Sequence, residues 1–383
     1  MGLSKLFNDF TKSEKTSGMI LIICTIASLV LANSSFGSAY AHLVHFEIFS
    51  KPIEFWINDG LMTIFFLLVG LEIEREIYVG ELADIKKSML PIIAAIGGML
   101  VPALIHFAFN YNTPTQKGVG IPMATDIAFS LAILSLLGKK VPATLKIFLT
   151  ALAIIDDLGA ILVIALFYSK DFSFIYFATA TVLFFSMLIL NRLKVYRLWI
   201  YLLIGMVMWF CMYRSGIHAT ITGVLLAFAI PFEKGNSKSI SYRLQHRLHL
   251  PVAFIILPLF ALANTIIVIP ASVLSDLSSP NCYGIILGLL VGKPLGIFLF
   301  CSIGIMIGWC KLPEGLKKSD LLWTGFLAGI GFTMSIFITL LAFNDPALIN
   351  ASKIAVIIGS LLSAVIGFLG LKFTLKENHL LRD

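Results

Sequence analysis

The sequence predicts an all-α, polytopic membrane protein with twelve transmembrane helices. Of its 383 residues, 58% are hydrophobic and only 13% are charged, whereas soluble globular proteins carry about 25% charged residues. Apolar runs of about 20 residues, long enough to cross a bilayer core, follow one another along the chain with short polar gaps between them. The gaps leave no room for a soluble domain, so residues 1–383 are expected to form a single membrane domain.

Gly, Pro, Asn and charged residues mark the joins between these runs. The predicted spans are residues 17–33, 55–77, 89–109, 119–137, 147–167, 172–190, 198–212, 216–230, 249–268, 283–305, 321–343 and 351–371. The first run follows Lys12 and Lys15 in the manner of a secretory signal, but further runs follow it, and we interpret it as span one.

The remaining composition excludes several other classes of protein. Five cysteines without Cys-x-x-Cys spacing predict neither a disulfide framework nor a metal framework, and no cofactor is expected. The net charge of +7 is divided among short loops, so it does not indicate a nucleic-acid-binding surface.

Basic residues are distributed unevenly between the two sides of the predicted membrane. Of the 28 Lys and Arg residues, 22 fall on the side of the two termini, five fall on the other side, and Lys293 lies inside a span. Short loops rich in Lys and Arg remain in the cytoplasm. Both termini are therefore expected to be cytoplasmic, with an even number of spans.

Four ionisable residues lie near the middle of three different spans. In span four, seven residues precede Asp126. In span five, nine residues precede Asp156, which is followed by Asp157, and in span ten, ten residues precede Lys293. At about 1.5 Å per residue, all four fall near the bilayer midplane. A charge there costs at least about 2.5 kcal/mol, so their convergence on one depth predicts a functional site.

Two spans carry helix-weakening residues at the same depth. Span four contains Pro122 and a polar Thr-Asp pair, and span eleven contains GIGFTMS at residues 329–335. Broken helices at corresponding places in two halves are typical of transporter sites. Spans three to five (about 89–167) and ten to twelve (about 283–371) are seven spans apart in chain order. Because consecutive spans alternate in direction and seven is odd, the two groups cross in opposite directions and are expected to form an inverted repeat.

The adjacent acids Asp156 and Asp157 are the strongest candidates for cation and proton binding. Consecutive helical residues point about 100° apart, and a carboxylate that faces lipid is energetically unfavourable, so the two acids are expected to face the protein interior or a cavity. The alternative is a structural carboxylate that caps a broken backbone or pairs with a lysine. A small hard cation prefers oxygen ligands and competes with protons for the same carboxylates. That competition is sufficient for antiport if access to the site alternates.

Asp126 and Lys293 each have two open interpretations. Asp126 either caps the second half of span four, with Thr125 helping, or balances two positive half-helix ends that face each other. Lys293 is too deep to snorkel and is expected to pair with one of the adjacent acids, as a structural ion pair or as a proton carrier. Pro294 removes a backbone hydrogen bond, so span ten is expected to kink there.

The cytoplasmic end of span two carries an acidic cluster. Glu72 and Glu76 share one helix face, and Arg75 lies beside Glu72. The cluster is either an ordinary solvated helix end or a negative funnel that concentrates cations and senses protons. His246 and His249 lie in or at the end of a cytoplasmic loop, where histidine titration can contribute to regulation.

Two polar residues near the outer side are expected to have mainly structural roles, His218 through a structural hydrogen bond and Asp59 as a cap or through a local hydrogen bond. His218 begins span eight in SGIHATITG, and Asp59 lies near the outer end of span two in WINDGLM. Neither belongs to the midplane cluster.

Several stretches together resemble the bacterial NhaA-type Na+/H+ antiporters. The resemblance runs over nearly the whole chain and rests on WINDGLMTIFFLLVGLEIERE, IAAIGGMLVPALI, GIPMATDIAFSLAILSLLG, KIFLTALAIIDDLGAI, SGIHATITGV, LPLFALAN, VGKPLGI and GIGFTMSIF. ATDIAF, AIIDDLGA and GKPLGI are highly specific as a set.

The resemblance implies twelve spans, an inverted repeat, and broken spans four and eleven that cross each other. It implies electrogenic exchange of internal Na+ or Li+ for external protons across the bacterial inner membrane, with activation at alkaline pH. It also implies a role in pH regulation and salt tolerance, no enzymatic activity, and a possible homodimer in the lipid bilayer.

Individual roles follow from the matching motifs. Asp156 and Asp157 correspond to the carboxylates that bind Na+ and protons, and Lys293 corresponds to the ion-pair partner of Asp156. Thr125 and Asp126 correspond to the charge-compensating pair of the broken helix. The residues that correspond to the cytoplasmic funnel and pH response are Glu72, Arg75, Glu76 and His246, and His218 also corresponds to a position that affects pH response.

The chain departs from the family pattern in two places. RLQHRLH has Gln245 where a glutamate of the pH-sensing cluster is expected, and a glutamine cannot titrate. Residues 40–54 look shorter than the periplasmic β-hairpin that helps form the family's dimer.

Three other functions compete with Na+/H+ exchange. A sodium-coupled symporter for an organic solute would need polar or aromatic side chains around the broken helices, which here are mostly aliphatic. An intramembrane aspartyl protease built on Asp126 and Asp157 would show Tyr-Asp and Gly-x-Gly-Asp motifs, and Lys293 would disturb its shared proton. A passive channel is disfavoured but is not excluded by the sequence.

Overall fold

Long apolar helices make up most of the computed structural model, which describes residues 3–168, 172–236, 239–269, 277–313 and 315–380. Nine helices in these ranges are long and apolar enough to cross a membrane. They are Leu3–Ala32 (span one), Ile53–Tyr78 (two), Ile85–Asn110 (three), Ala143–Phe167 (five), Phe174–Arg192 (six), Leu198–Ser215 (seven), Ile240–Asn264 (nine), Pro280–Ile307 (ten) and Pro346–Leu380 (twelve).

Two further spans are broken into bent helix pairs. In span four, a 3₁₀-helix at Pro114–Met123 is followed by an α-helix at Ile127–Leu136, with a bend of 43°. In span eleven, Lys318–Ala328 and Phe332–Ala342 are bent by 50°. The prediction that these two spans are interrupted is therefore confirmed, and the described chain contains up to eleven candidate spans.

The predicted span eight differs from the structure. Its helix covers only the nine residues Ile221–Ala229, about 14 Å at 1.5 Å per residue, which is half of a bilayer core. Gly216 adopts a left-handed conformation with φ of 82° and ends the preceding helix, and Pro231 lies two residues after the end of the short helix. These two residues confine the helix more tightly than the apolar run 216–230 suggested.

Local capping residues explain where several spans begin and end. The side chains of Asp84, Ser239 and Ser279 accept hydrogen bonds from backbone N–H groups in the first turns of spans three, nine and ten. Gly216 and Gly308 end spans seven and ten in the left-handed conformation, which costs glycine least.

A short helix and a minimal strand pair lie between spans one and two. The helix covers Gly37–Val44, and the strands Glu47–Ile48 and Lys51–Pro52 pair antiparallel. Each strand has two residues, which agrees with the short stretch noted at residues 40–54.

Three spans contain a wide π-helical turn. These turns cover Trp56–Leu61 in span two, Val252–Ile256 in span nine and Gly288–Gly292 in span ten. The last one ends directly before Lys293 and Pro294, where the sequence predicted a kink. Such turns are frequent at functional sites.

Spans three and ten approach each other to backbone contact. A Cβ atom on Gly97 would lie 2.3 Å from the carbonyl oxygen of Gly296, and one on Gly296 would lie 2.1 Å from the carbonyl oxygen of Gly97. Small residues at such a crossing let two membrane helices pack closely. This crossing lies one helical turn from Lys293 and fixes its depth in the molecule.

Candidate ion-binding site

Asp156 and Lys293 form an ion pair in the interior of the protein. The Lys293 Nζ atom lies 2.8 Å from Asp156 Oδ2, and both side chains are fully buried. The lysine also donates a hydrogen bond to the carbonyl oxygen of Met123 in span four. The sequence predicted that Lys293 pairs with one of the two acids, and the structure selects Asp156.

Thr125 connects the ion pair to both broken spans. Its hydroxyl lies 2.7 Å from Asp156 Oδ2 and 2.9 Å from the carbonyl oxygen of Ala328 in span eleven. The threonine therefore does not help to cap the second half of span four, which corrects that part of the prediction. It fixes one oxygen of Asp156, while Asp156 Oδ1 has no hydrogen-bond partner within the described ranges.

Asp157 has a different environment from its neighbour. It lines a cavity of about 630 Å³, yet its own exposure is only 2%. Its Oδ1 atom is buried without a hydrogen-bond partner among the residues that the structure describes. An unpartnered carboxylate oxygen at the end of a cavity is free to bind a cation or a proton.

The cavity extends from Asp157 to exposed residues at one end of spans two and nine. The predicted funnel residues Glu72, Arg75 and Glu76 line it, as does His246 across from them. Six spans contribute polar lining residues, which are Ser17, Glu72, Arg75, Glu76, Thr125, Asp126, Thr150, Asp157, Gln245, His246, His249 and Thr333. The structure thus joins the acidic cluster of span two and the midplane acids in one space.

Two histidines of span nine make contacts at the entrance of this cavity. His249 Nδ1 lies 3.9 Å from Glu72 Oε1, and this pairing was not anticipated from the sequence. The ring of His246 lies parallel to that of Tyr242, with 6.4 Å between the centroids. Gln245 lines the same cavity, so the departure from the family pattern falls where it can change the local charge.

Asp126 caps both broken spans at once. Its Oδ1 atom accepts a hydrogen bond from the Phe129 N–H at 2.9 Å, and its Oδ2 atom accepts one from the Thr333 N–H at 3.1 Å and another from the Thr333 hydroxyl. Its own N–H donates to the carbonyl oxygen of Ile330 at 2.7 Å. The two interpretations left open by the sequence, capping and charge compensation, therefore describe the same contacts.

Thr333 is a site residue that sequence reasoning did not single out. It follows the break of span eleven and lines the cavity beside Asp126 and Asp157. The available signal was a threonine at the second position after a glycine break, where a half-helix begins with free N–H groups.

His218 and Asp59 lie outside the set of residues that line the cavity. His218 Nε2 is 3.0 Å from the carbonyl oxygen of Tyr168 at the end of span five. The backbone carbonyl of Asp59 accepts hydrogen bonds from the Thr63 hydroxyl at 2.5 Å and from Trp209 Nε1 at 3.2 Å. His218 therefore makes the expected structural hydrogen bond, whereas the hydrogen bonds at Asp59 involve its backbone carbonyl, and the role of its side chain stays a prediction.

Glu74, a further acid of the cluster that closes span two, is buried. It is 5% exposed, and its Oε2 atom has no hydrogen-bond partner in the described part of the chain. It lies two residues from Glu72 and Glu76, so it points away from the helix face that lines the cavity.

Comparison with known proteins identifies the family. Residues 8–371 match the Na+/H+ antiporter 1 family. A protein of Flavobacterium psychrophilum named Na(+)/H(+) antiporter NhaA is 58% identical over 377 residues, covering 98% of each chain. Proteins of the same name from Citrobacter koseri and Escherichia coli O1:K1 / APEC are 48% and 47% identical, covering 95% and 98% of this chain and 97% and 100% of the relatives. The chain therefore belongs to the Na+/H+ antiporter 1 family.

Proposed function

We propose that the protein is a secondary antiporter that exchanges cytoplasmic Na+ or Li+ for external protons. The observation that carries this proposal is the buried Asp157 carboxylate, which lines a cavity next to the Asp156–Lys293 ion pair. The names of the similar proteins support the same exchange. The protein acts as a transporter without enzymatic activity and without a resident cofactor.

The site binds either a cation or protons, and this alternative couples the two fluxes. Na+ enters through the funnel of Glu72, Arg75, Glu76 and His246 and binds to carboxylate oxygens of Asp157 and Asp156, with the loss of protons from the site. Asp126, with Thr333, holds the two half-helix ends together and keeps a negative charge near them. Lys293 compensates Asp156 while the cation is absent.

The charges of the cluster favour electrogenic exchange. Asp126, Asp156 and Asp157 contribute −3 and Lys293 contributes +1 when all are ionised, which leaves −2. A site with a formal charge of −2 accommodates two protons in place of one monovalent cation. Exchange in that ratio moves net charge across the membrane.

The same reasoning gives the orientation of the molecule. The Lys and Arg distribution supports an orientation with the entrance of the cavity and both termini in the cytoplasm of a bacterial cell and with the protein in the inner membrane. The twelfth crossing is formed by the short helix Ile221–Ala229 together with the residues on either side of it. The repeat units are residues 89–167 and 283–371, each with one broken span, and a homodimer in the lipid bilayer is the proposed assembly.

Exchange activates at alkaline pH because the cavity entrance carries titratable groups. Glu72 and His249 lie 3.9 Å apart there, so protonation changes the charge that an entering cation meets. Removal of protons makes the funnel more negative, and it then attracts Na+ more strongly. Exchange of this kind regulates internal pH and sodium and supports growth in salt.

The geometry disfavours a protease. A shared-proton dyad requires two aspartates with free oxygens. Both oxygens of Asp126, however, accept hydrogen bonds from N–H groups in the first turns of two half-helices. A solute symporter is disfavoured because the deep lining contains aliphatic side chains such as Leu131 and Ile154.

A vesicle assay tests the proposed exchange. In everted vesicles with an imposed pH gradient, Na+ and Li+ are expected to collapse the gradient, whereas K+ is not. Asp157→Asn should abolish the response because the variant lacks the free carboxylate. Asp59→Asn, in span two and outside the cavity, is the matched control and should retain it. Unchanged exchange in Asp157→Asn would contradict the assigned role, and no response of the native protein to Na+ or Li+ would contradict the function.

A further inference from the structure

The outer half of span four is an unusually long 3₁₀-helix. It covers the ten residues Pro114–Met123, whereas 3₁₀ runs longer than three or four residues are uncommon because their hydrogen-bond geometry is poorer. Pro114 follows the end of span three at Asn110, and Met123 contacts Lys293. The segment therefore runs from the outer side of the molecule to the ion pair, opposite the cavity.

A single hydroxyl group contacts two backbone groups of one 3₁₀ turn. The Tyr168 hydroxyl donates to the Lys117 carbonyl at 2.8 Å and accepts from the Gly120 N–H at 3.3 Å. These groups are three residues apart, the spacing that a 3₁₀ hydrogen bond joins. Burial raises the pKa of Tyr168 to about 12, so its hydroxyl keeps the proton that it donates.

The 3₁₀ segment is packed tightly against three spans. A Cβ atom on Gly120 would lie 2.7 Å from the Tyr168 hydroxyl, and one on Gly118 would lie 2.8 Å from the Phe343 ring and 3.1 Å from the His106 ring. Contacts this close leave no path for an ion between the segment and these side chains. The outer side of the site is closed in this structure at the place where the segment lies.

The inner end of the segment is tied to the site itself. Lys293 donates to the Met123 carbonyl, and the Ser335 hydroxyl donates to the Ile121 carbonyl at 2.7 Å. Lys293 also pairs with Asp156. A cation that changes this ion pair therefore also changes the hydrogen bond between Lys293 and the Met123 carbonyl of the segment.

We propose that Pro114–Met123 is the outer gate of the exchange cycle and that Tyr168 is the positioning residue whose hydroxyl holds it closed. The proposal rests on the proposed alternating-access exchange. The hydroxyl stabilises the outer-closed state, because it pairs with Lys117 and Gly120 only while the segment lies against span five. In the outer-open state the segment leaves Tyr168, and the two backbone groups are hydrated instead.

Access of a thiol reagent from outside measures the state of this gate. Ile338 is fully buried and lies 3.4 Å from a Cβ atom placed on Gly120. The five cysteines of the full-length chain are replaced by alanine, and Ile338→Cys is introduced as the reporter. Right-side-out vesicles that contain this variant are treated with a membrane-impermeant maleimide, and the rate of labelling is measured. Tyr168→Phe keeps the ring and removes the hydroxyl. It should raise the labelling rate about tenfold, as expected for the loss of one or two net hydrogen bonds.

Tyr40→Phe is the matched control. The Tyr40 hydroxyl also joins two helices, donating to the Leu262 carbonyl at 2.8 Å, but it does not contact the segment. Its removal should leave the labelling rate unchanged. Tyr168→Phe is further expected to raise the KM for Na+ at the cytoplasmic face more than it changes the maximal rate, because it depletes the inward-facing state.

The outcomes separate the gate from the exchange function. An unchanged labelling rate in Tyr168→Phe that reaches the membrane and melts like the control would overturn the gate. If that variant does not accumulate, Ser335→Ala is used instead, because it removes another hydrogen bond to the segment. A raised labelling rate would then support the gate, and an unchanged rate would overturn it. Exchange is measured separately on the native chain in everted vesicles, so an inactive protein would refute the function while the labelling still decides the gate.

Discussion

At the scale of single residues, neighbouring acids differ because different helices face them. Asp156 is held by Lys293 at 2.8 Å and by Thr125 at 2.7 Å, whereas Asp157 points to the cavity. A buried ion pair contributes little net stability compared with apolar packing, but removal of one partner leaves a buried charge without compensation. The pair therefore constrains which substitutions the site tolerates.

Lys293→Ala is expected to destabilise the protein by about 3–5 kcal/mol, the usual cost of breaking a buried pair. Thermal unfolding in detergent measures this loss. The double variant Lys293→Ala with Asp156→Asn should recover part of it, because no uncompensated carboxylate remains. Equal melting of the single variant and the native protein would show that Asp156 is already neutral in the native protein.

Gln245→Glu is expected to move the pH of half-maximal exchange upward by roughly half a unit, since one pKa unit corresponds to only about 1.4 kcal/mol of interaction. The added carboxylate lies in the cavity with His246 and His249 and favours their protonated forms. A higher pH is then needed to remove those protons. Exchange is measured across pH in everted vesicles.

Asn112→Asp adds a carboxylate at the opposite end of the molecule and is the control for Gln245→Glu. Its exchange curve should coincide with that of the native protein. A curve for Gln245→Glu that also coincides would show that position 245 does not influence the pH response.

At the scale of secondary-structure elements, one side chain joins two broken spans. Each break leaves N–H groups of a half-helix without intrahelical partners, and Asp126 accepts hydrogen bonds from Phe129 and Thr333 on the two sides. The positive ends of both half-helices thus share a single carboxylate. This arrangement holds the break of span four against the break of span eleven.

Asp126→Ala should cost about 1–4 kcal/mol, because two N-terminal caps worth about 0.5–2 kcal/mol each are lost. Thr333→Ala removes one hydroxyl contact and keeps both backbone hydrogen bonds, so it should cost only about 1 kcal/mol. Thermal unfolding of both variants in detergent gives the comparison. A smaller loss for Asp126→Ala than for Thr333→Ala would contradict the shared cap.

At the scale of the whole molecule, the cavity and the 3₁₀ segment lie on opposite sides of the ion pair. The cavity extends from Asp157 toward Arg75 and His246, and Pro114–Met123 covers the other side. A site open on one side and closed on the other is what alternating access requires. The helix Ile221–Ala229 is too short to cross a bilayer core by itself, so the number of membrane crossings is best measured directly.

Fusions at the C-terminus test that number. A fluorescent protein that matures only in the cytoplasm should be bright when fused after Asp383, and a phosphatase that folds only outside should be inactive there. The same pair of fusions in the loop at Asn112 should give the reverse result. Phosphatase activity at Asp383 would indicate an odd number of crossings.

The sequence alone was sufficient for the features that depend on local composition. Apolar run length located most of the spans, and glycine, proline and polar residues located the breaks in spans four and eleven, because these residues act on their own helix. Motif resemblance indicated the family, and the depth of Asp126, Asp156, Asp157 and Lys293 indicated the site.

The tertiary structure decided what depends on contacts between distant residues. The pair of Lys293 with Asp156, the cap that Asp126 provides for Thr333 and the contact of Tyr168 with Lys117 join residues that lie far apart in the sequence, up to 207 positions. No local pattern encodes such distances, because rotation and depth of each helix are set by all of its neighbours together. The sequence placed the charges at one depth, and the packing of the helices determined which of them meets the cavity.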